Sequence, residues 1–131
     1  LCNLGDRVSL QKCVLPDNDL YGKRFDAVIS NSLLHHLQDP FTIWDMINEY
    51  AKDGSPVFVM DLMRPETEAR ARELLGMYAS DAPEILQADF YNSLLASYTV
   101  DEVREQLKNT GLDLTVEAVS DRHIIAWGLT Q

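Results

Sequence analysis

Two compact apolar runs organise the first half of the chain, residues 25–30 (FDAVIS) and residues 56–62 (PVFVMDL). Runs of this length without polar alternation have the pattern of strands buried in a parallel sheet. Between them, Pro40 opens a segment in which Ile43, Trp44, Ile47, Tyr50 and Ala51 fall on one helical face, and Asp53-Gly54 closes it. Strand, helix and strand in this order form a parallel crossover, a unit that is nearly always right-handed. Upstream, residues 7–14 can form a further strand, and Pro16, Asp17, Asn18, Asp19 and Gly22 then supply a cluster of turn residues.

From Glu66 the period becomes helical. Ala69, Leu74, Leu75 and Tyr78 mark one helix, and Ile85, Phe90, Leu94 and Leu95 mark a second. Thr99 followed by Glu102 matches a capping box, with Val100, Val103 and Leu107 as the apolar stripe and Gly111 as the stop. Residues 114–119 and 123–127 read as strands joined by Asp121-Arg122, a connection short enough to make them antiparallel. With no internal repeat, low-complexity tract or flexible linker, residues 1–131 are expected to form one α/β domain. Its sheet is mainly parallel and ends in an antiparallel hairpin, with helices on the faces.

Length and charge narrow the picture. At 131 residues and 46% hydrophobic content the chain can bury a core, but it is short for a complete doubly wound enzyme. A first residue of Leu1 and an immediate loop and strand suggest a portion of a longer polypeptide. Twenty-one acidic against eleven basic side chains give a net charge of −10, which disfavours phosphate backbones and anionic lipid. Cys2 and Cys13 have neither a paired-thiol spacing nor a zinc-finger partner, as suits a reducing cytoplasm. No apolar run approaches the roughly 18 residues of a membrane span.

The stretch FDAVISNSLLHHLQDP, with SPVFVMDLMRP some twenty residues later, resembles the middle of a class I S-adenosylmethionine-dependent methyltransferase. The resemblance makes the first stretch the family's fourth strand with its cofactor-facing bend. The second becomes the fifth strand with its substrate-facing end. It implies a partial Rossmann-like sheet of spatial order 3-2-1-4-5-7-6, to which this chain contributes strands 3, 4, 5, 6 and 7 but not 1 and 2. The family's Gly-rich first strand-to-helix loop and the acidic end of its second strand do not occur in these 131 residues.

Open parallel sheets bind ligands beyond the carboxyl ends of their strands, which nominates Ser30, Asn31, Ser32, Asp61 and Arg64. The resemblance assigns Ser30, Asn31 and Leu33 to the bend that holds the methionine part of the cofactor. The same residues also suit a polar connection that caps backbone groups. It further assigns Asp17, in CVLPD, to a loop near the adenine ring, although an Asp after Pro is also ordinary turn chemistry. Methyl transfer can proceed by positioning alone, but for a hydroxyl or an activated carbon acid as acceptor an imidazole or carboxylate would help by taking the proton, and Asp61, His35 and His36 are the candidates. Asp61 could equally cap a helix or pair with Arg64, and His36 could orient the bend. As neighbours in sequence, the two histidines diverge and cannot share one metal, so no metal site is expected. Arg64 could bind an acidic group of the acceptor, and the resemblance places Tyr91, Asn92 and Tyr98 in the region of the acceptor pocket, where packing is the alternative role.

The function so implied is methyl transfer from S-adenosylmethionine to a small molecule, with this chain alone expected to be inactive. A non-catalytic methyltransferase-like assembly domain is the rival reading. If strands 1 and 2 are absent, the strand at residues 25–30 has a bare edge. Either residues 7–14 move across to cover it, or a second copy of the chain pairs with it.

Overall fold

A computed structural model describes residues 4–16, 20 and 22–131. Strand β1 spans Val28–Asn31 and is followed by a single 3-10 turn, Leu34–His36, and by helix α1, Phe41–Tyr50. Strand β2, Pro56–Leu62, leads to helices α2, Glu68–Tyr78, α3, Glu84–Ala96, and α4, Val100–Leu107. Strands β3, Thr115–Ala118, and β4, His123–Leu129, complete the chain.

The four strands form one sheet in the order β1-β2-β4-β3. The β1–β2 pair is parallel, with Val28 opposite Val57 and Asn31 opposite Met60. Strand β4 runs antiparallel to both β2 and β3, inserting between them as the hairpin folds back. This is the 4-5-7-6 portion of the order implied by the sequence resemblance. Gly54 at φ 74° and Gly111 at φ 77° occupy left-handed positions where the chain leaves α1 and α4, which an L side chain would adopt only with strain.

One face of the sheet carries the core. Val57, Val59, Val116, Ile124 and Ala126 pack against Ile43, Trp44 and Ile47 of α1 and Val103 and Leu107 of α4. The predicted stripes of α1 and α4 are therefore the buried ones. Inside this apolar layer the Trp44 indole N–H donates to Gln106 Oε1 at 3.0 Å, tying the two helices together without leaving a buried amide unpaired. A second, smaller cluster joins α2 and α3 through Ala71, Leu74 and Leu94, with Leu62 at the end of β2 packed on it.

Several expectations need correction. Residues 8–14 form no strand: they run irregularly and exposed after a turn in which Arg7 and Val8 donate to the Leu4 carbonyl. A strand needs a ladder partner, and none adjoins this segment among the described residues, so it does not cover the edge of β1 either. The first apolar run begins its regular pairing only at Val28, because Phe25 bridges to Ala51 and the chain bends at Asp26. Nor is β1 buried on both faces, since Ile29 is 77% exposed. Ala69, Tyr78 and Ile85 are exposed as well, because α2 and α3 bury a narrow seam against each other rather than a broad face.

The capping box of α4 is fully formed: Thr99 Oγ1 accepts from the Glu102 amide and the Glu102 carboxylate accepts from the Thr99 amide. Burial alone would push the Glu102 carboxyl up. The Thr99 bonds and the Arg64 guanidinium overcome this and hold it below its ordinary value. Thr99→Ala should cost about 1 kcal/mol in urea unfolding. Because the folded-state value is depressed, the contribution of Glu102 is present at neutral pH and lost as pH falls through that value. Glu102→Gln should therefore flatten the acid limb of the stability profile and leave the alkaline limb unchanged.

Candidate functional site

The carboxyl ends of β1 and β2 lie side by side, and the chain leaving β1 must turn at once to reach the 3-10 turn. It does so at Ser32, whose φ of 55° is a left-handed value uncommon for a residue other than Gly. The Ser32 amide still donates to the Met60 carbonyl at 2.9 Å, which pins the bend to β2. The turn then brings His35 onto Asp61.

Asp61 is 2% exposed and is held by three donors. Its Oδ2 accepts from the His35 amide at 2.7 Å, and Oδ1 accepts from the Leu62 amide at 2.7 Å and faces His35 Nδ1 at 2.5 Å. The His35 side chain is itself only 4% exposed. With Nδ1–H directed at the carboxylate, the tautomer leaves the Nε2 lone pair for another group. No described residue bonds to that nitrogen.

These contacts redistribute the roles expected of the candidates. Asp61 neither pairs with Arg64 nor caps a helix; its partners are the His35 imidazole and two main-chain amides. His36 is exposed and its side chain forms no hydrogen bond among the described residues, so His35, not His36, orients the bend. The two imidazoles do not diverge as their adjacency suggested, because the tight turn packs the rings 3.9 Å apart. No cluster of three metal-ligating side chains occurs among the described residues.

Ser30, Asn31 and Leu33 line a groove of about 570 Å³ beside β1, together with Phe25, Ile43 and Met46. Ser30 Oγ is a buried side-chain oxygen without a hydrogen-bond partner among the described residues, so this apolar groove holds one unspent polar atom. Asp17 lies outside the described residues. Arg64 is committed elsewhere, to Glu102 at 2.5 Å and to the Ser97 carbonyl at 3.2 Å, which fastens the α3–α4 junction to the end of β2. Tyr91 packs in the α2–α3 cluster with its hydroxyl 3.5 Å from Glu68, remote from the His35 pair in the contacts it makes.

Two further groups join the site. Tyr98 bridges Met63, and burial, then Glu102, Asp39 and Asp61, push its phenol up. His123 opens β4 opposite Leu62, and burial and Arg122 push its imidazole down despite Asp121 and Asp61. Tyr98 is among the residues that the resemblance places near an acceptor pocket, whereas His123, after a turn, had no signal in the sequence; strand pairing and the Met63 bridge bring the two to this end of the sheet.

The strand order, the bend after β1 and the buried pair at the end of β2 define the fold as the class I methyltransferase type. The sequence profile of a methyltransferase domain family matches residues 6–117, so the chain belongs to that family. Two solved structures share the fold. An O-methyltransferase family protein of Burkholderia thailandensis aligns with 97% of this chain at 16% identity and a TM-score of 0.58. A candidate O-methyltransferase of Nostoc punctiforme aligns with 82% at 18% identity and a TM-score of 0.50. The alignments span 37% and 33% of those two chains, about a third of their length. No curated protein matches the sequence.

Removing the acceptor at the centre of the site strands its donors. Asp61→Ala should lower stability by about 1–3 kcal/mol or more, read by urea unfolding. His35→Ala should also destabilise, whereas His36→Ala should stay within about 0.5 kcal/mol of the parent chain. Equal losses at the two histidines would contradict the assignment of the bend to His35.

Proposed function

We propose that this chain forms the proton-accepting and acceptor-facing part of an S-adenosylmethionine-dependent methyltransferase whose acceptor is a hydroxyl of a small molecule. The observation that carries this reading is the buried His35–Asp61 pair at the carboxyl ends of β1 and β2. The net charge of −10 argues against a nucleic-acid acceptor. The O-methyltransferase descriptions of the two structural neighbours agree with an oxygen acceptor.

The residues beside β1 fit one end of such a cofactor. Ser30 offers a hydroxyl without a partner among the described residues, Asn31 an exposed amide, and Leu33 an apolar wall. These three would hold its methionine part, and Asp17 is the candidate for its adenosine end. When bound, S-adenosylmethionine supplies a methyl group made electrophilic by its sulfonium sulfur.

The chain's own contribution is positioning and proton transfer. His35 Nε2 accepts the proton of the acceptor hydroxyl, and Asp61 stabilises the imidazolium that results while fixing the ring against rotation. The Leu62 amide and the His35 amide hold Asp61 in turn, so the base rests on main chain rather than on mobile side chains. Of the residues named for acceptor contact Tyr98 stands nearest the pair, while Arg64, held by Glu102 and Ser97, stabilises the wall of the site and Tyr91 packs between α2 and α3.

The rival reading is a methyltransferase-like domain that serves in assembly; the 131 residues given contain no Gly-rich strand-to-helix loop. Main-chain donors of that kind are what receive an anionic cofactor group at a helix N-terminus. Calorimetry of the chain with S-adenosylmethionine should accordingly show no micromolar binding, and tight binding would require a different account of the cofactor site.

In an enzyme that contains this region together with such a loop, transfer of labelled methyl groups to a panel of phenols and alcohols tests the two readings. His35→Ala should lower kcat on the order of a hundredfold or more while cofactor affinity holds. Asn31→Ala should weaken cofactor binding instead, and Asp61→Asn should lower kcat by upsetting the tautomer. Full activity of all three variants, or no transfer to any acceptor, would remove the assignment.

A further inference from the structure

Between β2 and α4 the chain leaves the sheet and returns to it at one place. Met63 bridges Tyr98, the Arg64 amide donates to the Tyr98 carbonyl at 3.1 Å, and the Arg64 guanidinium donates to the Ser97 carbonyl at 3.2 Å. Helices α2 and α3 with their connection make up the segment between these pins. They carry a core of their own, built from Ala71, Leu74 and Leu94, apart from the larger core that holds α1 and α4 on the sheet. A unit with its own seam and a narrow base can move without breaking either core.

This unit lies over the candidate site. Helix α3 lies against the 3-10 turn that carries His35, and the α2–α3 cluster rests on Leu62, next in sequence to Asp61. The His35 side chain is only 4% exposed in this arrangement, although its Nε2 bonds no described residue.

Away from the base, α2 is tied down at its far end. Its last residue, Tyr78, donates its hydroxyl to Asp121 Oδ2 at 2.7 Å, in the turn between β3 and β4. Arg122 donates to Asp121 Oδ1 at 2.9 Å and sets its guanidinium carbon 3.4 Å from the centre of the Tyr78 ring. Phenol, carboxylate and guanidinium thus close a triangle of two hydrogen bonds and one cation–π contact. The hairpin side is firm, because the Arg122 carbonyl accepts from the Met63 amide at 2.8 Å. On the helix side Tyr78 is 46% exposed. Polar ties at such positions are individually weak, so this one can part and re-form.

From these features we infer that α2 and α3 form a lid over His35, swinging on the short segments between the helices and their pins, with the Tyr78–Asp121–Arg122 triangle as its latch. A cleft of about 650 Å³ runs along the first half of α2 from Met63, Pro65 and Thr99 at the base to Asp121, so the latch carboxylate also lines the cleft. Parting the triangle widens this cleft and lifts α3 from the 3-10 turn. For an acceptor that motion is the way to His35 Nε2, a role that rests on the reading of His35 given above. The motion itself rests on packing alone.

Carbethoxylation of the 131-residue chain by diethyl pyrocarbonate, located by tandem mass spectrometry, measures access to His35, with exposed His36 beside it as the internal standard. Tyr78→Phe removes the bond to Asp121, and Asp121→Ala removes both bonds of the triangle. Each should speed modification of His35 about threefold or more and leave that of His36 unchanged, while circular dichroism reports a folded chain. Ile47→Val trims the main core on α1, away from the lid. It should lower the urea midpoint yet keep the His35 rate of the parent, because lid opening does not pass through global unfolding. If neither latch variant reaches that factor, the inference is overturned. It is overturned too if Ile47→Val speeds His35 as much as the latch variants do, since the imidazole is then reached by unfolding. The readout requires no turnover, so its failure is distinct from a failure of the proposed function.

Discussion

Strand β2 has to satisfy two different ladders at once, and most of the molecule follows from that requirement. On one side it takes β1 in parallel and on the other β4 antiparallel, with seven β4 residues in register from Pro56–Leu129 to Leu62–His123. Its inward side chains Val57 and Val59 centre the core, and the next inward position is Asp61. A carboxylate continuing an apolar stripe would be costly to bury alone. Here the His35 imidazole and two main-chain amides supply the donors, so the stripe can end in chemistry rather than in another aliphatic side chain.

That arrangement couples the site to the fold. The His35 amide and ring both bond Asp61, so the tight turn after β1 forms correctly only if β1 and β2 are in their observed register. The left-handed Ser32 and its bond to Met60 act in the same direction. On the far side, Arg64 ties the end of β2 to Glu102 and Ser97, and through the capping box to the start of α4. The end of one strand thus sets the positions of the bend, the α3–α4 junction and the two aromatic or imidazole groups, Tyr98 and His123, that approach it.

Local signals accounted for the elements that local physics determines. The helix stripe at Ile43, Trp44 and Ile47, the Thr99–Glu102 box, the glycines at 54 and 111 and the limits of β2 were all legible, because each depends on neighbours within a few residues. The segment 7–14 was misread for the opposite reason: its composition permits a strand, but strand formation depends on a partner that composition does not reveal. The site was legible as a neighbourhood and not as a set of bonds. His35, His36, Asp61 and Arg64 were all nominated, yet which imidazole meets the carboxylate depends on the 3-10 turn, and Arg64 is drawn away by a glutamate 38 residues later.

The uncovered face and edge of the sheet belong to the same balance of constraints. Helices α1 and α4 are both drawn to the face bearing Val57, Val59 and Ile124, where the apolar layer and the Trp44–Gln106 bond hold them. The opposite face keeps Ile29, Phe58 and Trp127 exposed, and the α2–α3 cluster packs on Leu62 at the end of β2. Across β1, β2 and β4 these three side chains form one apolar row, set by the strand register rather than by any helix. The same strand carries Ser30 and Asn31, the residues nearest the candidate cofactor groove. Whatever covers β1 therefore also shapes that groove, so the strand that pairs with β2 to build the sheet also builds the wall of the candidate site.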